Sequence, residues 1–518
     1  MITPHPYQQD YLDGIRSGWR DGFRRQLIVS PTGSGKTNMF CWVAQDFIEE
    51  NKRVLILVDQ VDLAWQARER MAKVIGVMAE VEQAENSASR SARVVIASVQ
   101  TLARRLSEWP QDHFDLVICD EADKSISAQW QTVLNHFDGQ ARVAGFTATP
   151  HRTDKKNLGV YYDNSIEKEN LVSLIQKGFL SPISIQMMPI KLDLSGVTAR
   201  GDITDEQADE IITPHLSAIA QSIQQKCSFR RTLVFLPLIR TCERFTEICR
   251  SMGMTADYVY GDDPERESKI KRFRNWDFDI LANSMLLTRG VDIPEVDAIV
   301  PCRPTKSVTL YFQMVGRGTR IAPGKTECLL LDFLYQANKR LVCRPANLIA
   351  KSDEEVEQIA KLTEASAALP ADVIAQLDLI EVAAEASSQR EEALRKKLDE
   401  QKNKKAKTIT AEEFALNHGS MSAAEYEPTM PWESQPVSEK HAKALKRAGI
   451  DVATVKGKGH ATKLLGLHFA SQALTPASQA QKFKMRQMGC SFWQTATAAD
   501  ARRWFAELRN RNQQKGMV

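Results

Sequence analysis

The chain has 518 residues, 43% of them hydrophobic, with 68 Lys+Arg against 65 Asp+Glu. That length gives room for about three or four globular domains, and no apolar run reaches the ~18 residues that a membrane span needs. The start, MITPHPYQQDYLDG, has no basic stretch leading into an apolar one, so it does not read as a secretion signal. Nine scattered cysteines with no C-x-x-C pair suggest small, reduced core residues in a cytoplasmic protein rather than a metal ribbon. The charge is unevenly placed. Residues 351–436 carry a net −8 and residues 437–518 a net +11. The latter balance suits a polyanionic partner or an acidic protein.

In chain order, the first elements are apolar runs of five or six residues: RQLIVS, RVLILV, ARVVIAS, DLVICD and ARVAGFT. They are continuous rather than alternating, as in strands buried on both faces of a parallel sheet. Stretches long enough for helices separate them, so residues 1–180 predict a doubly wound α/β lobe. Residues 181–228 are more polar and predict an inter-lobe connection. The alternation resumes over 229–340 with RTLVFLP, ADYVYG, DILANSM, AIVPC and ECLLLDF, which predicts a second such lobe. Residues 341–406 predict a charged helical segment and 407–435 a linker. Residues 436–510 contain a repeat at an offset of 40, in which SEKHAKALKRAGIDV aligns with SQAQKFKMRQMGCSF. Each copy predicts a helix, a glycine stop and a second helix, and two such hairpins would pack on one another.

The chemistry begins at SPTGSGKT, residues 30–37, which joins the first strand to a helix. Gly33 and Gly35 allow the backbone to turn its N–H groups inward. With Thr32, Ser34 and the helix N-terminus they form an anion cradle. Lys36 would reach the β- and γ-phosphates of a nucleotide, and the Thr37 hydroxyl would meet Mg²⁺. Ser30 stands where the phosphate-loop consensus has glycine. DLVICDEAD (115–123) then delivers two adjacent carboxylates at the end of a strand. Asp120 would hold Mg²⁺ through water, and Glu121 would orient the water that attacks the γ-phosphate.

From about residue 4 to 335 the chain resembles the superfamily 2 nucleic-acid helicases and translocases, whose motor is a pair of RecA-like lobes. PYQQD resembles the Q motif, SPTGSGKT motif I, CDEAD motif II and FTATP (146–150) motif III. LLTRGVDIP (286–294) resembles motif V and QMVGRGTR (313–320) motif VI. The resemblance implies ATP as substrate, with Gln8 on the adenine edge, and Gly290 and Asp292 near the ribose. It implies Gln313, Arg317 and Arg320 in the catalytic cleft, the arginines acting across the lobes on charge that develops in the transition state. Thr147 and Thr149 would couple the nucleotide state to the nucleic-acid groove. VDQVDLAWQ, ASVQTL and VFLPLIR resemble motifs Ia, Ib and IV, with Ser98, Gln100, Thr101 and Thr288 on phosphate oxygens. Such contacts imply weak sequence specificity and a steep salt dependence.

T-A-T and Q-M-V-G-R depart from the S-A-T and H-R-I-G-R of the DEAD-box RNA helicases. RPTKSVTLYFQMVGRGTRIAPGK looks more like RadD-type DNA repair helicases and, more distantly, the motor subunits of restriction enzymes and phage recombination helicases. DNA is therefore favoured over RNA. Asp123 replaces those families' usual histidine, and their cysteine-rich module after the motor has no counterpart here. The expected activity is ATP-driven movement on branched or forked DNA in repair, recombination or replication. The alternatives are an RNA helicase or a non-unwinding motor subunit of a defence or restriction assembly. In the tail, Lys440, Lys443, Lys446, Arg447, Lys482, Arg486, Arg502, Arg503 and Arg509 interleave with Phe492, Trp493 and Trp504. That mixture suits nucleic-acid backbone contact with base stacking, while a protein partner is the other reading.

Overall fold

The computed structural model describes residues 2–59, 61–148, 158–188, 190, 192–194, 202–284, 293–333, 342–348, 409–428, 430–474, 479–488 and 490, with isolated positions at 356, 377–378, 381–382, 385, 388–389, 392, 497 and 504. The chain divides into two compact units, 1–387 and 388–518.

Unit 1 contains two seven-stranded sheets. The first is built from β1 (Arg25–Val29), β2 (Val54–Val58), β3 (Glu80–Glu82), β4 (Val94–Ser98), β5 (Leu116–Asp120), β6 (Arg142–Thr147) and β7 (Asn164–Glu167). The order is β3-β4-β2-β5-β6-β1-β7, and every pair is parallel. Val, Leu and Ile fill β2 on both faces, so every residue of that strand is buried. The five apolar runs of the sequence are β1, β2, β4, β5 and β6. The short edge strands β3 and β7 carry polar residues and give no apolar run to read.

Register places the functional strand ends together. β6 lies between β1 and β5, with Val29 opposite Thr147 and Asp120 opposite Phe146. The loop after β1 and the carboxylates after β5 therefore emerge side by side at the C-terminal edge, where open α/β sheets bind ligands. Helix α1 (Pro6–Arg20) precedes β1, and α2 (Lys36–Glu49) opens directly from the glycine-rich loop.

The second sheet comprises β8 (Ile183–Met187), β9 (Thr232–Leu236), β10 (Ala256–Val259), β11 (Ile280–Ser284), β12 (Ala298–Pro301), β13 (Cys328–Asp332) and β14 (Leu377–Asp378). Its order is β10-β11-β9-β12-β13-β8-β14, antiparallel only between β8 and β14. The expected connection over 181–228 is instead part of this lobe. β8 pairs with β13 along its length, and the helices at Asp205–Ile212 and Leu216–Lys226 bury Ala208, Ile212, Leu216, Ile219 and Ile223 in the lobe's core. ISIQM is too short for periodicity to declare it a strand. One apolar core runs from Tyr11 and Phe40 of the first lobe to Ile183, Tyr311 and Met314 of the second.

In unit 2, the segment expected as a linker is folded. Helices Ala411–Asn417 and Met421–Ala424 bring Phe414, Leu416, Ala423 and Ala424 into one core with Leu445, Ile450, Ala461 and Leu464 of the first repeat copy. The first copy is thus covered by residues upstream of it. The second copy contributes helix Gln479–Gln487. Most of its second half, and most of the charged helix expected over 371–406, lies outside the described residues.

Candidate functional site

Gly33 and Gly35 take φ of +86° and +79°, conformations that only glycine adopts without strain. Space forbids a side chain at either position as well. A Cβ on Gly33 would lie 2.8 Å from Thr319 Oγ1, and one on Gly35 would lie 2.6 Å from Gln8 Nε2. The loop is held from below by polar bonds. Ser30 and Ser34 share a hydroxyl hydrogen bond of 2.7 Å, which gives the serine at the consensus glycine position a structural task. The Ser34 carbonyl accepts from Tyr7 Oη at 2.7 Å and from Gln8 Nε2 at 2.9 Å. Gln8 Oε1 in turn accepts from the His5 backbone at 2.9 Å. Gln8 is buried and clamps the loop. Tyr7, absent from the sequence reading, does the same, and burial pushes its hydroxyl pKa up to about 12, so it remains a donor.

Lys36 Nζ donates to the Ser30 and Pro31 carbonyls at 3.2 and 3.3 Å. Burial pulls its pKa down. The carboxylates of Glu121 and Asp120 oppose that shift, and Arg317 and Arg320 add to it. The sequence-predicted lysine, carboxylates and arginine pair therefore share one electrostatic neighbourhood. Thr32 Oγ1 is buried without a hydrogen-bond partner among the described residues. An inward-turned loop, a polar atom in need of a partner and a lysine together fit a phosphate group. The Thr37 hydroxyl and the Asp120 carboxylate are hard oxygen donors of the kind that Mg²⁺ takes.

Glu121 sits at φ +56°. A left-handed non-glycine residue costs on the order of 1 kcal/mol, and here the turn directs the carboxylate to the second lobe. Gln313 Nε2 donates to Glu121 Oε1 at 3.1 Å. Gln313 lies on the helix Val308–Val315, which follows β12 and is capped by Ser307, whose side chain accepts from Leu310 N at 3.2 Å. Gly316 follows directly, and a Cβ there would lie 2.3 Å from Thr32 Cγ2. Lys325 holds the same segment from behind, donating to the Gly318 and Arg320 carbonyls at 2.6 and 2.8 Å. Gly316, Thr319 and Lys325 were not singled out from sequence. A motif pattern marks side-chain chemistry, and these three act through close approach and backbone support.

The remaining residues fall into two groups. Thr147 ends β6 beside the loop, with its carbonyl accepting from Ser30 N at 3.0 Å. Ser98 is buried and caps the helix Val99–Arg104, and its Oγ donates to Thr101 Oγ1 at 2.9 Å. Gln100 is exposed and donates to the Asp59 carbonyl at 2.8 Å. Thr149, Thr288, Gly290 and Asp292 lie outside the described residues.

Two family models match the chain. "Type III restriction enzyme, res subunit" covers residues 1–152, and "Helicase conserved C-terminal domain" covers 214–322. The first contains the phosphate loop and Glu121, and the second contains Gln313 and Arg317. In both lobes the chain is therefore similar to helicase-type motors. Both matched segments lie within unit 1. "Putative ATP-dependent helicase IRC3" of Saccharomyces cerevisiae is 30% identical over 75% of this chain and 59% of its own. "Putative mitochondrial ATP-dependent helicase irc3" of Schizosaccharomyces pombe is 30% identical over 70% of this chain and 63% of its own. The chain thus spans about three fifths of these relatives. Among solved structures, "The fragment structure of a putative HsdR subunit of a type I restriction enzyme from Vibrio vulnificus YJ016" shares the fold, with a TM-score of 0.53 at 24% identity over 67% of this chain and 66% of that one. No helix of the described residues is long and apolar enough to cross a membrane, and all nine cysteines are free and buried.

Proposed function

We propose that the protein is an ATP-driven motor that moves along DNA and acts on branched or forked structures. The observation that carries this is the contact of Glu121 with Gln313 across the two lobes, directly beside the phosphate loop. A carboxylate that positions the attacking water is then tied to the lobe that must move, so hydrolysis and lobe closure are linked. Lys36 meets the β- and γ-phosphates, Glu121 orients the water, and Arg317 and Arg320 stabilise the departing charge. Thr37 and Asp120 hold Mg²⁺, which when bound screens the phosphate oxygens. Gln8 faces the adenine, Asp292 with Gly290 the ribose, and Thr147 with Thr149 relays the nucleotide state. Ser98, Gln100, Thr101 and Thr288 lie along the strand's phosphates. DNA rather than RNA is favoured by the motif spellings, and the basic tail supplies a second nucleic-acid contact. Buried free thiols suit a cytoplasmic protein.

The test is steady-state ATP hydrolysis by the full chain, without nucleic acid and with single-stranded DNA, forked DNA or RNA of matched length, using Glu121→Gln as the blank. Stimulation by DNA and not RNA supports the proposal, and greatest stimulation by forked DNA supports its substrate. Preferential stimulation by RNA makes it an RNA helicase. Hydrolysis indifferent to both favours a motor subunit awaiting a protein partner, a reading that the restriction-subunit likeness of the first lobe supports.

A further inference from the structure

The two tail copies share a scaffold and differ on their outer face. Helix Gln479–Gln487 begins and ends forty residues after Glu439–Arg447. Both helices stop with the same backbone bond, from Ile450 N to the Leu445 carbonyl at 3.0 Å and from Cys490 N to the Met485 carbonyl at 2.9 Å. The paired apolar positions are equally buried, with Leu445 at 0% and Met485 at 0%, and Ile450 at 0% and Cys490 at 4%. The repeat is therefore structural, and it makes a position-by-position comparison of surfaces meaningful.

Away from that shared core the copies diverge. Ala442, Lys443, Ala444, Lys446 and Ala448 of the first copy correspond to Lys482, Phe483, Lys484, Arg486 and Met488 of the second. Phe483 is 62% exposed. It stands two positions before the buried Met485, about 200° around the helix at 3.6 residues per turn, so it faces away from what Met485 packs on. Arg486, three positions on, lies about 60° from it, and Lys482 and Lys484 flank it at about 100° on either side. No large hydrophobic residue of the first copy's helix is exposed in this way.

We propose that the second copy is a stacking site for an unpaired base of single-stranded nucleic acid, with Phe483 as the platform and Lys482 and Arg486 beside the flanking phosphates. The matching helix of the first copy, Glu439–Arg447, cationic and without an exposed aromatic, contacts phosphates alone. This rests on the nucleic-acid reading of the tail and adds a division of labour within it. Charge decides the class of partner. The last 82 residues carry a net +11, and an exposed ring between cations suits a polyanion that offers flat faces, which single strands do and duplexes do not.

The test uses the full chain without nucleotide, titrated into labelled oligo-dT and into a duplex of equal length, together with photocrosslinking to a strand carrying 5-iodouracil. Phe483→Ala should weaken oligo-dT binding about tenfold, the loss of one stacked base, leave the duplex unchanged and abolish a crosslink at position 483. Phe483→Trp should retain all three. Because the ring is exposed, neither change disturbs the core. If Phe483→Ala alters neither oligo-dT affinity nor the crosslink map, while Lys443→Glu with Arg486→Glu weakens both ligands, the stacking site is overturned and the tail remains a phosphate-binding element. If the charge reversals also have no effect, the nucleic-acid reading of the tail falls with it.

Discussion

Gln313 and Glu121 meet at 3.1 Å from opposite lobes of the motor. The bond ties the carboxylate after β5 to the C-terminal part of the helix Val308–Val315. A hydrogen bond to a charged group is worth about 1.5–3 kcal/mol, so Gln313→Ala should lower turnover roughly 10- to 100-fold. The melting temperature should hardly change. Gln313→Glu should be worse, because it sets two carboxylates face to face. Nucleic-acid-stimulated steady-state ATPase measures both, and unchanged turnover in Gln313→Ala would show the contact to be incidental.

Gly316 lies against Thr32 of the phosphate loop, and a Cβ there would lie 2.3 Å from Thr32 Cγ2. Gly316→Ala should therefore push the lobes apart and reduce turnover about tenfold or more, since misplacement by an ångström costs as much as 10²-fold. Thr32→Ser removes that methyl group and should recover part of the loss in the double variant. A double-mutant cycle reads the coupling. Strict additivity would mean that Gly316→Ala acts within its own lobe.

Lys325 supports the arginine-bearing segment through the Gly318 and Arg320 carbonyls. Lys325→Met keeps the aliphatic stem and leaves those carbonyls without the ammonium. A cost of about 1–3 kcal/mol in stability follows from buried acceptors left unmet, with a fall in turnover as Arg320 loses its support. A urea midpoint equal to the parent's, with full activity, would contradict this.

His460 sets an acid limit on the tail. Its Nδ1 accepts from Lys456 N at 3.1 Å, so Nε2 carries the proton and donates to the Ala423 carbonyl at 2.9 Å. Burial lowers its pKa to about 4, with Lys456 and Lys463 assisting and the Ala423 bond and Glu427 opposing. The unfolded imidazole titrates near 6.5. Below that pH the unfolded state binds the extra proton, so this contribution is whole above about pH 6.5 and drains away as pH falls to about 4. Amide hydrogen exchange over residues 409–465, corrected for intrinsic rates, should show protection falling through that window. His460→Asn should flatten the dependence. Equal slopes in the two proteins would remove His460 as the cause.

Ten strands were legible because each is a continuous apolar run of the kind that parallel sheets bury on both faces. β3 and β7 escaped because edge strands need no such run, and β8 because ISIQM fits several assignments. Within the site, Lys36, Asp120 and Glu121 drew attention because phosphate and water chemistry require those groups at fixed offsets from a strand end, and Gln313 through its motif resemblance; the structure brings Gln313 onto Glu121. Tyr7 and Lys325 were not. Each works by donating to a carbonyl whose position depends on the fold, and no spacing in the chain announces such a bond.

In the tail, the repeat was visible as matched residues forty apart, and the equal burial of Leu445 and Met485 agrees with it. The packing partner was not visible. Phe414 and Leu416, in a stretch that reads as linker, cover the first copy, because an amphipathic helix specifies that its apolar face be covered and leaves open by what. By itself, then, the sequence determined the α/β lobes, the glycine-rich loop and the order of the motifs along both lobes. Tertiary structure decided that β8 belongs to the second sheet, that Gly316 rests on Thr32, and that the linker folds. Local pattern sets which surfaces must be buried, while contact between distant segments depends on shape and on the free energy of the whole chain.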